Sequence, residues 1–178
     1  TGVIKDGFDS MEASDTYYES GTGSVTYHPF SITKRAAAEF NISAINRNSG
    51  ITYAHIEKKE NGQWKRIDDT VKINPASYDD DFVHGLTKGE YRLAIKAPTT
   101  QLNAVSYTRS SKNKKVAYKK SKAKKIKLNG QTSNIYTTGE KTARWYKVSV
   151  TSTKKKRILN LGKDTVSGGY KFAIYQKG

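Results

Sequence analysis

Short segments in which apolar and polar residues alternate recur along the chain, and turn residues separate them. A period of two places every second side chain on one face of a β-strand, whereas a helix needs apolar residues three and four positions apart. Asn61-Gly62 predicts a hairpin, because a tight type I′ turn needs a positive φ at both central residues. The pattern predicts strands at 24–33, 39–45, 51–58, 64–67, 80–83, 89–96, 106–109, 124–128, 144–151, 157–161 and 169–176.

Many short strands at regular spacing are typical of an all-β fold, here an antiparallel β-sandwich of jelly-roll or immunoglobulin-like type. The large apolar side chains at alternate strand positions then form the core between the two sheets. The expected core contains Phe30, Ile32, Phe40, Ile42, Tyr53, Trp64, Tyr91, Leu93 and Ile95.

The sequence also resembles itself at an offset of 118 residues, which becomes 119 after one inserted residue. An internal repeat predicts two copies of one module, whereas the alternative is a chance match between two strand-rich segments. The aligned pairs are Tyr18/Tyr136, Gly21/Gly139, Tyr27/Trp145, Phe30/Val148, Ile32/Val150, Phe40/Leu159, Ile42/Leu161, Gly50/Gly169, Tyr53/Phe172 and Ala54/Ala173.

The repeat predicts a β-sandwich module over residues 1–110, a Lys/Ser-rich linker over 111–122 and a partial second module over 123–178. The second copy has no counterpart of the closing segment 89–96, so its sheet edges and apolar face would be left open. We expect one of three remedies: continuation in a longer natural protein, packing against the first module, or strand exchange with another chain. The oligomeric state stays open.

The positive charge of the chain is concentrated near its C-terminus. Residues 1–110 contain 13 Lys/Arg and 14 Asp/Glu, whereas residues 111–178 contain 19 and 2, so the net charges of −1 and +17 sum to the total of +16. Any attraction to a polyanion is therefore predicted for the second part alone. The candidate polyanion-binding residues are Lys114, Lys115, Lys119, Lys120, Lys122, Lys124, Lys125 and Lys127.

The lysine-rich segment has three interpretations. It is a solvated linker, or it binds an anionic cell-wall polymer, acidic glycan or lipid headgroup, or it binds nucleic acid. Lysine gives diffuse attraction and does not read bases in the bidentate manner of arginine, and no known nucleic-acid-binding motif is present. Nucleic acid is therefore the least favoured partner, and another protein is also considered.

The most acidic segment is Asp79-Asp80-Asp81, and it is the candidate metal site, with calcium as the only ion considered. Calcium prefers several carboxylate and carbonyl oxygens on a flexible loop. The alternative is a solvated turn before a strand, because Asp side chains favour turns. No EF-hand spacing is present, and we expect no other cofactor.

The sequence has no pattern typical of an enzyme. There is no cysteine, which excludes disulfides, thiolate metal sites and cysteine nucleophiles. His28, His55 and His84 form no metal-binding motif, and we expect each to be exposed or hydrogen-bonded within the fold. No Gly-x-Ser-x-Gly turn and no apolar run long enough to span a bilayer occur.

Two segments resemble the bacterial pre-peptidase C-terminal domain. They are Tyr27-His28-Pro29-Phe30-Ser31-Ile32 and Gly85-Leu86-Thr87-Lys88-Gly89-Glu90-Tyr91-Arg92-Leu93-Ala94-Ile95, and Trp145-Tyr146-Lys147-Val148 repeats the first motif. The resemblance covers about residues 12–108 and 130–178. It implies a non-catalytic β-sandwich that accompanies secreted proteases and surface proteins, often in tandem.

The sequence therefore predicts a non-enzymatic extracellular or cell-surface module of a larger bacterial protein that serves in binding, adhesion or spacing. One alternative is a polyanion- or nucleic-acid-binding protein that acts through residues 111–178. A second alternative is an accessory domain of a secreted hydrolase.

Overall fold

A computed structural model describes residues 4–6, 11–46, 50–75, 80–99, 101–111, 116–152, 154, 156–162 and 171–176. Within these ranges the chain forms β-strands and one short 3-10 turn at Lys120–Lys122. The strands are β1 (Ile4–Asp6), β2 (Thr16–Ser20), β3 (Val25–Ile32), β4 (Ala36–Ala44), β5 (Thr52–Glu60), β6 (Gln63–Arg66), β7 (Val71–Ile73), β8 (Asp80–Leu86), β9 (Gly89–Lys96), β10 (Leu102–Ser110), β11 (Lys124–Ile126) and β12 (Tyr146–Val148).

The first ten strands form two five-stranded sheets. Sheet I has the order β1-β2-β10-β4-β8, and sheet II has the order β3-β9-β5-β6 with β7 also paired to β5. Every pairing in both sheets is antiparallel except that between β1 and β2. The predicted all-β antiparallel sandwich is confirmed.

An aromatic cluster fills the space between the two sheets. The Phe30 ring of sheet II lies 5.3 Å from Phe40 of sheet I and 5.6 Å from Tyr91, measured between ring centroids. The Phe40 and Tyr107 rings stack at 5.1 Å. Because each ring removes a large apolar area from water, these side chains dominate the stability of the sandwich. The predicted burial of Phe30, Ile32, Phe40, Ile42, Tyr91, Leu93 and Ile95 is confirmed.

Two predicted core residues lie on the outer face of sheet II, so the prediction was wrong for them. Tyr53 is exposed, and Trp64 is half-buried and contacts Arg92. The register of β5 turns Ala54 and Ile56 inward, and the alternation then places Tyr53 outward. The prediction followed the size of the side chains, whereas the pairing partners of the strand decide which face enters the core.

The turn between β5 and β6 is a two-residue hairpin, as Asn61-Gly62 predicts. Asn61 has a φ of 52° and Gly62 a φ of 80°. Both values lie in the left-handed region that Asn and Gly tolerate, so the turn twist matches that of the strands.

The predicted second copy differs most from the structure. Residues 157–161 form no strand, and neither do the described residues 171–176 of the predicted strand 169–176. The strand predicted at 144–151 is reduced to β12, and that at 124–128 to β11, which pairs with β12 in parallel. Apart from this β11–β12 pair, the described residues of the predicted second module form no paired strands.

The segment 135–144 packs against sheet I. Arg35 before β4 donates a hydrogen bond to the Ile135 carbonyl (3.2 Å) and forms an ion pair with Glu140 (2.8 Å). Gly85 of edge strand β8 lies so close to Tyr136 that a Cβ atom at Gly85 would stand 1.6 Å from the Tyr136 carbonyl oxygen. This segment is thus packed against sheet I, whereas an incomplete second copy, and with it the choice among the three remedies, stays a prediction. No helix among the described residues is long and apolar enough to cross a membrane.

Candidate functional site

We call residues 116–176 the C-terminal region and residues 11–111 the sandwich. The predicted lysines of the C-terminal region lie on its surface. Five of them are exposed and Lys124 is half-buried, while Lys114 and Lys115 lie outside the described residues. The exposed five are Lys119, Lys120, Lys122, Lys125 and Lys127.

Main-chain hydrogen bonds hold this basic segment in place. The Lys124 N–H donates to the Trp145 carbonyl (3.0 Å), and the Trp145 N–H donates to the Ala117 carbonyl (2.8 Å). The Lys120 ammonium lies 4.9 Å from the centre of the Tyr175 ring, a cation–π contact. Main-chain hydrogen bonds therefore fix the backbone of the segment that contains these lysines.

A depression of about 240 Å³ lies beside β11. Lys124, Lys125 and Lys127 line it together with the turn around Gly130, whose N–H donates to the Lys127 carbonyl (3.0 Å). The positive charges of the lysines that line this depression favour an anion there.

The carboxylate of Glu140 does not neutralise these lysines. It pairs with Arg35 (2.8 Å) and with the buried Arg144 (3.0 Å). Burial raises the pKa of Glu140, but hydrogen bonds from Arg144 and from the Thr137 N–H, with the charges of both arginines, lower it overall. Glu140 is therefore ionised and held by arginines, and the ion pairs found among the described residues include none of the five exposed lysines.

The structure bears on the aspartate cluster only in part. Asp79 lies outside the described residues, and Asp80 begins β8. Asp81 is exposed and accepts a hydrogen bond from the Asn41 amide (2.6 Å). Among the residues that are described, no three His, Cys, Asp or Glu side chains come together as metal ligands. Calcium binding at Asp79, Asp80 and Asp81 stays a prediction.

Each histidine contacts a carboxylate, which was not predicted from the sequence. Glu19 and Asp68 lie on a different strand or loop from His28 and His84, whereas Glu57 follows His55 by two residues on β5. His28 lies 3.0 Å from Glu19, and His55 lies 3.1 Å from Glu57. The buried His84 Nε2 lies 2.9 Å from Asp68 Oδ2, but the contact is not aligned along the ring N–H. The prediction of exposed or hydrogen-bonded histidines is confirmed for His28 and His55, whereas His84 is buried and contacts Asp68 without an aligned hydrogen bond.

The outer face of sheet II carries a second group of functional side chains that the sequence did not predict. The Arg92 guanidinium lies between two aromatic rings, 3.7 Å from the centre of Tyr27 and 4.6 Å from that of Trp64. Its Nε donates to the Glu57 carboxylate (2.6 Å), which also contacts His55. Exposed aromatic residues at alternate strand positions were the available signal, but Trp64 and Tyr53 were assigned to the core.

A comparison with protein-family models gives no match, and neither does a comparison with curated proteins. Among solved structures, the chain is similar to the pre-peptidase C-terminal domain of collagenase from Bacillus anthracis. The TM-score is 0.42 and the sequence identity 10%, over 58% of this chain and 97% of that chain. A likeness at this level does not establish membership of the family, and the assignment of the fold rests on the strand pairing described above.

Proposed function

We propose that the chain is a non-catalytic binding module, in which the sandwich is a rigid support and the C-terminal region binds an anionic polymer of the bacterial cell surface. One observation carries the proposal: Lys119, Lys120, Lys122, Lys125 and Lys127 are exposed within a stretch, residues 111–139, that contains no acidic residue. The extracellular or surface location is part of the same proposal and rests on the sequence resemblance to pre-peptidase C-terminal domains.

The chemistry of lysine favours a flexible polymer over a small, rigid ligand. Each ammonium group is a mobile point charge on a four-carbon stem, without the planar fork of arginine. Several such charges act together within one Debye length, about 8 Å at physiological ionic strength. Binding of this kind gains most of its free energy from the release of counterions from the polymer.

The non-catalytic part of the proposal is supported by the contacts of the histidines. The hydroxyl of Thr26 donates to Glu19, and the other oxygen of Glu19 contacts His28. In a nucleophilic site the imidazole would lie next to the hydroxyl and take its proton. Here the carboxylate lies between the two groups, so the arrangement serves to hold β2 and β3 together.

The test is a binding titration with poly(glycerol phosphate) as the probe and neutral dextran as its control. We expect the triple variant Lys122→Gln/Lys125→Gln/Lys127→Gln to lose roughly tenfold or more in affinity at low salt and to show a flatter dependence on salt, because fewer counterions are released. The matched control is Lys34→Gln/Lys65→Gln/Lys88→Gln, which removes the same charge from exposed positions of the sandwich.

Three outcomes decide the matter. Selective loss in the first variant supports the proposal, whereas equal losses in both variants mean that only the net charge of the chain matters. No binding to poly(glycerol phosphate), or much tighter binding to a single-stranded oligonucleotide, refutes it.

A further inference from the structure

A second site lies on the sandwich, away from the lysines of the C-terminal region. It is a depression of about 430 Å³ on the outer face of sheet II, and Ala94 of β9 forms its floor. Ala94 pairs with Tyr27 of β3 on one side and with His55 of β5 on the other. A methyl group between two larger side chains leaves space on a face that would otherwise be flat.

The depression contains two cations that form no ion pair with a described carboxylate. Lys96 and Arg66 line it, and the ion pairs found among the described residues include neither of them. Arg66 uses its Nε to hold the Asp68 main-chain carbonyl (2.6 Å), which leaves its terminal nitrogens for another acceptor. The neighbouring Glu57 is held by Arg92 and His55.

The Glu57 carboxylate does not pair with the two cations of this depression. Burial raises its pKa, but the hydrogen bonds from His55 and Arg92 lower it overall, so it is ionised and bound within its own cluster. Two cations that form no ion pair among the described residues, in a depression that excludes part of the solvent, favour an anionic group of a ligand. The planar fork of Arg66 suits a carboxylate in particular.

Among the described residues that line the depression, Tyr53 is the one with a six-membered aromatic ring. Tyr53 lines it and is 38% exposed, whereas Tyr27 and Trp64, which each have the Arg92 guanidinium over one ring face, do not line it. One open ring provides a flat apolar surface for the C–H face of a sugar ring, but it does not provide the two rings that would enclose a nucleobase. His55 and Thr70 also line the site and offer hydrogen bonds to hydroxyl groups.

We infer that this depression binds an acidic saccharide, a sugar ring that carries a carboxylate. The ring stacks on Tyr53, the carboxylate pairs with Arg66 and Lys96, and the hydroxyls reach His55 and Thr70. This inference does not depend on the proposed function of the lysines.

The experiment is a calorimetric titration of the full chain with tri-galacturonate, with maltotriose as the neutral control and inorganic phosphate as the small-anion control. We expect binding of tri-galacturonate alone. Lys96→Gln/Arg66→Gln should weaken it about tenfold or more, because two charge-assisted hydrogen bonds are lost. Tyr53→Ser should weaken it while all charges stay.

Several results would overturn the inference. They are unchanged binding in Lys96→Gln/Arg66→Gln, equal binding of maltotriose, or competition by phosphate at the same concentration as tri-galacturonate. The variant Lys122→Gln/Lys125→Gln/Lys127→Gln is the cross-control. If it alone abolishes binding, the saccharide is held by the C-terminal region and the site at Ala94 is refuted. All substituted residues are partly or fully exposed, and thermal melts verify that each variant is folded.

Discussion

The sandwich and the C-terminal region contain the same pattern of apolar residues but bury it to very different extents. Four aligned pairs of residues show this difference in burial. In the sandwich their side chains are at most 4% exposed, whereas their counterparts are 49% to 61% exposed. The pairs are Phe30/Val148, Ile32/Val150, Phe40/Leu159 and Ile42/Leu161.

The difference shows that apolar alternation does not form a sheet by itself. In the sandwich, β4 is paired on both sides, by β8 and β10, and its inner face is covered by sheet II. The C-terminal region contains no sequence counterpart of β8 to β10, and among its described residues the only sheet is the two-stranded pair β11 and β12. Its net charge of +13, from 15 Lys/Arg and 2 Asp/Glu, adds repulsion that a small core would have to overcome.

The largest expected effect is a difference in the free energy of unfolding between substitutions at two aligned residues. Phe40→Ala should lower the free energy of unfolding by roughly 3 to 5 kcal/mol, because Phe40 is fully buried among aromatic rings. Its counterpart change, Leu159→Ala, should stay within about 0.5 kcal/mol, as expected for an exposed site. Urea denaturation measures both. Equal losses would show that the C-terminal region has a core of its own and would contradict the difference in burial between the two regions.

A smaller effect is expected where the two regions meet. A Cβ atom on Gly85 would collide with the main chain of Tyr136, so Gly85→Ala should release the segment 135–144 from sheet I. With the contacts of Arg35 lost as well, we expect a loss of about 1 to 2 kcal/mol, the value of one or two hydrogen bonds. Hydrogen exchange across 135–144 locates the change.

The matched control for that variant is Gly89→Ala. A Cβ atom there would meet its nearest neighbours, the side chains of Lys58 and Tyr91, at 3.4 Å, which is ordinary contact. Faster exchange at 135–144 in both variants, or in neither, would contradict the packing of this segment against Gly85.

The smallest effect concerns pH. The pKa of Glu140 is lowered below its ordinary value of 4.5, so the folded state holds the ionised carboxylate more strongly than the unfolded state does. This contribution is present above pH 4.5 and is lost as the pH falls through the folded-state pKa. Glu140→Gln should therefore be less stable than the parent chain at neutral pH, and the gap should close on acidification.

Proteolysis of the C-terminal region at several pH values is a second measurement of the stability that is lost when Glu140 becomes protonated. The region should become sensitive to a protease active in acid before the sandwich unfolds, since Glu140 links Arg35 to Arg144. A gap between Glu140→Gln and the parent chain that does not depend on pH would refute the electrostatic explanation.

Most of the sandwich could be predicted from the sequence. The inward positions of β3 and β9 alternate strictly, so Phe30, Ile32, Tyr91, Leu93 and Ile95 were assigned to the core correctly. Asn61-Gly62 gave the hairpin because few residues accept positive φ at both turn positions. The strand β2 was not predicted, since Thr16–Ser20 contains only two adjacent aromatic residues and no clear alternation.

The candidate site was predictable in its charge but not in its contacts. The sequence of residues 111–127 is rich in lysine, which is apparent without a structure. The structure confirms that five of these lysines are exposed: Lys119, Lys120, Lys122, Lys125 and Lys127. The depression at Ala94 was not predictable, because its walls come from β3, β5, β6 and β9 and depend on strand register. Likewise, the pairing of Glu140 with Arg35 joins residues 105 positions apart.

The sequence by itself determined the class of fold, the turns and the division of charge, because period, φ preference and charge are properties of short segments. Tertiary structure decided which strands are paired, and therefore which of two similar apolar patterns is buried. It also turned Tyr53 outward and brought Lys96 and Arg66 beside it. The physical reason is that burial and register depend on partner strands that lie far away in the chain, and no local pattern contains them.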